Sequence, residues 1–190
     1  MTNGRLIIIS HPEVVVSPDV PITEWGLSDT GRLRAEIFAS SAAMSGVRAI
    51  WSSTERKALD TAEILAERAS CSVRTHEALG ENDRSATGFL PPDQFEAAAD
   101  AFFAEPETSF RGWETAQDAQ SRIVETVRSV VAEHSGGDLA IVTHGAVGTL
   151  LWCHLSGQEI SRRFDQPGQG HYWSADLQTL RPEHGWRGIG

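Results

Sequence analysis

Apolar residues fall into two kinds of run along this 190-residue chain, and the two kinds alternate. Arg5-Leu6-Ile7-Ile8-Ile9-Ser10 and Leu139-Ala140-Ile141-Val142-Thr143 have the length and β-branched content of strands buried on both faces. Residues 47–51 and 72–75 read as shorter strands. Ser28 can cap a helix that Gly46 would end, with Leu33, Ile37 and Phe38 on its inner face. Residues 54–69 predict a helix with Ala58, Ala62 and Leu65 in register. Residues 115–134 predict a longer one, carrying Ala116, Ala119, Ile123, Val127 and Val130 and stopped by Gly136-Gly137. An apolar helix over 146–155 follows the second long strand. Trp173, Ala175 and Leu177 then alternate with Ser174, Asp176 and Gln178, which predicts a last strand near 172–180. The residues beyond it read as a loosely packed tail. Residues 77–112 break the alternation: Pro91-Pro92 opens a helix with Phe95, Ala99, Phe102 and Phe103, expected as a helical insertion over the sheet edge. The whole predicts an α/β fold with a mostly parallel sheet and helices on both faces, in one domain over 1–190.

Composition narrows the partners. The net charge of −10 and pI near 5.1 argue against nucleic acid or an anionic membrane, both of which require clustered positive charge. No apolar run approaches the roughly 20 residues that span a bilayer, and the start, Met1 to Arg5 and a short apolar stretch, is too brief for a signal peptide. Cys71 and Cys153 lack partners spaced for a metal, so both read as reduced thiols in a cytoplasmic protein. No metal or other cofactor is implied, and a homodimer is compatible with this composition.

The candidate chemistry lies at the strand ends. His11 and His144 each follow an apolar strand, which in an open parallel sheet is the edge where the ligand crevice lies. Between them, Trp51 to Glu63 reads as a strand end entering a helix with Arg56 in its first turn. Arg56 and the free N–H groups there can hold an anion, or Arg56 can pair with Asp60 at i+4 on the surface.

Three stretches, Ser53-Thr54-Glu55-Arg56-Lys57-Ala58 with Thr61-Ala62-Glu63, Thr143-His144-Gly145, and Leu27-Ser28-Asp29-Thr30-Gly31-Arg32, occur in the order and spacing of the histidine phosphatase superfamily, which the chain resembles over about 5–155. The resemblance implies the phosphoglycerate mutase-like fold, a three-layer sandwich. It also implies hydrolysis of a phosphate monoester or phosphohistidine through a phosphohistidine at His11, with His144, Arg56 and Gly145 contacting the phosphate. The ligand would be a small phosphorylated substrate or phosphate-like anion. Glu81 stands where many members place the acid for the leaving oxygen, although Glu77, Asp83 and Glu114 share those polar stretches. Arg84 can join the pocket or lie on the surface.

The family's first motif reads Arg-His-Gly or Arg-His-Ala, and here it is Ser10-His11-Pro12. One such transition-state donor is commonly worth ~10²–10³-fold in rate. Ser10 offers the phosphate one neutral hydroxyl, Pro12 removes an N–H, and loss of the cation is expected to let the His11 pKa drift upward. A catalytically impaired phosphate-binding or partner-binding protein is therefore a second reading, and a mutase-like phosphotransferase a third. Ser10 as nucleophile with His144 as base is a distant fourth, since no nucleophile elbow surrounds it. Of the other histidines, His76 can approach the crevice, His134 suits a helix end, His154 is expected to be packed, and His171 opens the last strand, on the surface or in the core.

Overall fold

The computed structural model describes residues 4–190, so the reading of the leader at residues 1–3 lies outside it. Its strands are β1 (Arg5–Ser10), β2 (Val47–Ser52), β3 (Val73–Thr75), β4 (Asp138–Thr143), β5 (His171–Asp176) and β6 (Arg187–Gly188). Its helices are α1 (Asp29–Ala39), α2 (Arg56–Ala69), α3 (Pro92–Ala104), α4 (Ala116–Glu133) and α5 (Gly145–Leu155). The sheet order is β3-β2-β4-β1-β5-β6, with the first four strands parallel and β5 and β6 antiparallel to their neighbours.

Side chains of the central strands alternate between two cores. Leu6, Ile8, Leu139 and Ile141 pack with α4, α5 and the Phe102-Phe103 end of α3. Ile7, Ile9, Ala140 and Val142 pack with α1 and α2 on the other face. This is why both strands are unbroken apolar runs: neither face meets water. β1 and β4 are adjacent and in register, Ser10 opposite Thr143, so the residues that leave them, His11 and His144, emerge side by side.

Several expectations shift. Ser28 does cap α1, its Oγ accepting the Gly31 N–H at 3.1 Å, but the helix ends at Ala39, well before Gly46. Leu33 and Ile37 are 56% and 53% exposed, because the helix turns its Gly31, Ala35, Phe38 and Ala39 stripe to the core instead. The residues after Leu180 are no loose tail. β6 extends the sheet, Ile189 is buried, and Trp186 packs against Gly148, where any Cβ would lie 2.7 Å from its ring. The insertion helix α3 begins at Pro92 and forms one wall of the crevice at the carboxyl ends of β1 and β4.

Candidate active site

His11 leaves β1 with its Nδ1 2.9 Å from the Pro12 carbonyl oxygen. A carbonyl can only accept, so Nδ1 carries the hydrogen and Nε2 keeps its lone pair. Burial, reinforced by the Lys57 ammonium and more weakly by Arg84, lowers the His11 pKa to about 4 despite opposing effects from Pro12 and Glu55. His11 is therefore neutral near pH 7. The net shift is downward without an arginine at position 10, because desolvation is the largest effect.

His144 caps the start of α5 with its ring fully buried, 5.3 Å from the His11 ring between centroids. Its Nε2 meets Ser53 Oγ at 2.8 Å and Glu55 Oε1 at 3.3 Å, while Nδ1 has no partner among the described residues. Burial, against the pull of Glu55, holds the His144 pKa well below the ordinary histidine value.

Arg56 and Lys57 divide the roles the sequence reading assigned to Arg56. The Arg56 side chain is 58% exposed and its Nε donates to Asp60 Oδ1 at 2.8 Å, which is the surface alternative at i+4. Buried Asp60 also accepts the Leu27 N–H and the Arg32 guanidinium, so it fastens the loop before α1 to α2. The Lys57 side chain, only 4% exposed, lines the crevice instead. Helical periodicity explains the difference, because Lys57 shares a stripe with buried Thr61 and Leu65, one residue round from Arg56.

Glu55, part of the Ser53–Ala58 motif but given no role by the sequence, lies beside Lys57. Its Oε2 accepts from Lys57 Nζ at 2.5 Å and its Oε1 accepts the Glu81 N–H at 3.0 Å. Burial alone would raise its pKa, but His144, Lys57 and these hydrogen bonds bring it down to about 2. The ammonium that faces His11 thus has a carboxylate on its other side.

Glu81 lines the crevice at the amino end of α5, where its carboxyl accepts the Ala146 and Val147 N–H groups at 3.3 and 3.1 Å. Burial still raises its pKa, outweighing Arg84 and these bonds. Its sequence competitors stand elsewhere: Glu114 pairs with Arg122, while Glu77 and Asp83 are exposed. Arg84 lines the crevice, its guanidinium 5.1 Å above the Phe95 ring and 5.7 Å from that of Trp113.

Ser10 is completely buried. Its Oγ donates to Gln166 Oε1 at 2.5 Å and accepts the His171 N–H at 3.0 Å, so the hydroxyl is turned from the crevice into the loop before β5. Gln166 lies over both Ser10 and Gly145; a Cβ on Gly145 would stand 2.4 Å from Gln166 Nε2. This seclusion also removes Ser10 from reach as a nucleophile. His76 is exposed and accepts the Ala78 N–H, His134 meets the Gly137 carbonyl, His171 is partly buried, and His154, expected to be packed, is exposed beside Arg128. Among the described residues no group of three or more His, Cys, Asp or Glu side chains is arranged to hold a metal ion, and no helix is long and apolar enough to cross a membrane.

Residues 11–178 match the model of the histidine phosphatase superfamily, branch 1. No curated protein matches the chain significantly in sequence. A mycobacterial glucosyl-3-phosphoglycerate phosphatase superposes with a TM-score of 0.81 at 23% identity, over 97% of this chain and 99% of its own. Structures of that protein with inorganic phosphate and with VO3 align at TM-scores of 0.80 and 0.76 and identities of 21% and 22%. Bacillus stearothermophilus YhfR gives 0.81 at 23% identity, covering 97% of this chain and 96% of its own. A phosphoserine phosphatase variant from Entamoeba histolytica, in complex with phosphoserine, gives 0.77 at 16%, covering 98% of both. These likenesses carry the fold, and the family model spans most of the chain. The chain belongs to the histidine phosphatase superfamily.

Proposed function

We propose that the chain is a phosphatase that hydrolyses a phosphate monoester through a phosphohistidine at His11. The observation that carries this reading is the Nδ1 contact to the Pro12 carbonyl, which leaves a neutral imidazole with Nε2 unprotonated in the crevice. Nε2 attacks phosphorus in line, the N–P bond forming as the ester P–O bond breaks. Glu81, whose raised pKa favours the protonated form, gives its proton to the leaving oxygen. In the second half, Glu81 takes a proton from water, the hydroxide displaces nitrogen from phosphorus, and inorganic phosphate leaves. Lys57 and Arg84 supply positive charge to the equatorial oxygens, and with Ser53 Oγ donating its hydrogen to Nε2, His144 keeps its one N–H on Nδ1 for the same oxygens. The protein would work in the cytoplasm, where the free thiols of Cys71 and Cys153 stay reduced.

One observation favours the impaired alternative: Glu55 neutralises Lys57 within the site, and Ser10 adds no cation. An anion here meets fewer unpaired charges than a site with two free arginines would offer. A phosphomonoester panel with His11→Ala as the blank separates the two readings. Turnover that vanishes in the blank supports the phosphatase, whereas phosphate binding without turnover supports the binder.

A further inference from the structure

We infer, on the basis of the phosphatase reading, that the substrate is a monoester of a bulky apolar or aromatic alcohol that carries no second anionic group. The crevice beside His11 encloses about 650 Å³. Two segments wall it, the loop after β1 with Val16, Ile22 and Trp25, and the insertion with Phe89, Leu90 and Phe95. The Trp25 and Phe89 rings meet at 5.8 Å, joining the two walls. Val16 and Phe89 are 55% and 38% exposed. Apolar surface left open at the rim of a crevice that holds a nucleophile is suited to the organic part of a substrate.

Charge on the same walls points the same way. Three cations line the crevice, Lys57, Arg84 and Arg162. Lys57 is bonded to Glu55 and to the Ile22 carbonyl, and Arg162 is held by Glu96 and Asp100. Only Arg84 has no carboxylate partner among the described residues, and its guanidinium rests over aromatic rings. One unpaired cation suffices for a single phosphoryl group. A carboxylate or second phosphate further out would instead approach Glu96 and Asp165, which also line the crevice, and would lose its hydration without a partner. The aromatic walls gain from burying a ring against them.

The test compares two phosphonates that cannot be hydrolysed, 2-naphthylphosphonate and 3-phosphonopropionate, by calorimetry on the native protein and on Phe89→Ser. The expected result is ~10-fold or tighter binding of the naphthyl compound, a gap that narrows several-fold in Phe89→Ser. Phe89 is at the rim, so this variant folds; Val16→Ser provides an independent check on the opposite wall. Equal affinities, tighter binding of the carboxylated compound, or no binding of either would overturn the inference. Because the assay needs no turnover, a preserved naphthyl preference in a protein that hydrolyses nothing would sink the phosphatase reading alone.

Discussion

Replacing Glu55 by glutamine removes one negative charge from the anion site while keeping the side chain's shape. In the native protein Glu55 Oε2 lies 2.5 Å from Lys57 Nζ. An anion oxygen bonded to the other side of that ammonium at about 2.8 Å stands about 5 Å from the carboxylate. With an effective dielectric of about 20, two unit charges at that separation repel by about 3 kcal/mol. Water and salt in the open crevice reduce this, so vanadate or phosphate should bind Glu55→Gln about 10- to 100-fold more tightly than native protein. The variant leaves Lys57 buried with only the Ile22 carbonyl, at 2.8 Å, and a neutral amide, so the ligand-free protein should lose stability, by up to about 3–5 kcal/mol. Added phosphate should restore part of that loss. Calorimetry at fixed ionic strength reads the affinity, and thermal unfolding with and without phosphate reads the coupling. Affinity equal to or weaker than native, in a variant with native circular dichroism, would show that Glu55 does not oppose anion binding and that Lys57 is not its cation.

Four further outcomes follow from the same structure. The acid limb of kcat/KM should rise through about pH 4 as His11 loses its proton, and the alkaline limb should fall as Glu81 loses its own; inversion of the two limbs refutes these roles. Because the folded His11 pKa is depressed below the unfolded value, its contribution to stability is complete above about pH 6.5 and is lost as pH falls toward 4, by at most about 3 kcal/mol; denaturation with His11→Phe should reduce that slope and leave the share of His144, whose pKa is also lowered, while Glu55 acts only below about pH 4.5. Ser10→Arg should destabilise the protein and give no gain in turnover, because Gln166 and His171 already enclose position 10, whereas pairing it with Gln166→Gly should open the volume and raise kcat/KM by ~10-fold. Gly31→Ala should cost about 2–3 kcal/mol in denaturant unfolding, since the new Cβ would stand 2.2 Å from the Glu13 carbonyl oxygen.

The strands and the two histidines were legible because they rest on local pattern. Unbroken apolar runs mark strands buried on both faces, and a residue that follows such a strand must sit at its carboxyl end. Which member of Arg56-Lys57 turns inward depends on helix phase. The stripe formed by Lys57, Thr61 and Leu65 carries that phase, whereas ligand chemistry alone favours Arg56, the better phosphate ligand. Glu55 gave no signal, since a charged residue just before a helix is ordinarily a solvated one, and its burial depends on Lys57 and on the Glu81 backbone from a distant loop. Local pattern places Ser10 toward the phosphate, because the Gln166 that holds its hydroxyl lies 156 residues away. The last residues look like a tail in sequence for a related reason: β6 exists through pairing with β5, and its two residues are too few for a periodicity.

Whether His11 Nε2 forms the covalent intermediate is decided by rapid quench with an aryl phosphate labelled at phosphorus. Base-stable, acid-labile label should appear on the peptide containing His11 before free phosphate does, and should be absent from His11→Ala. Label on a hydroxyl side chain, or release of phosphate that persists in His11→Ala, would contradict that intermediate.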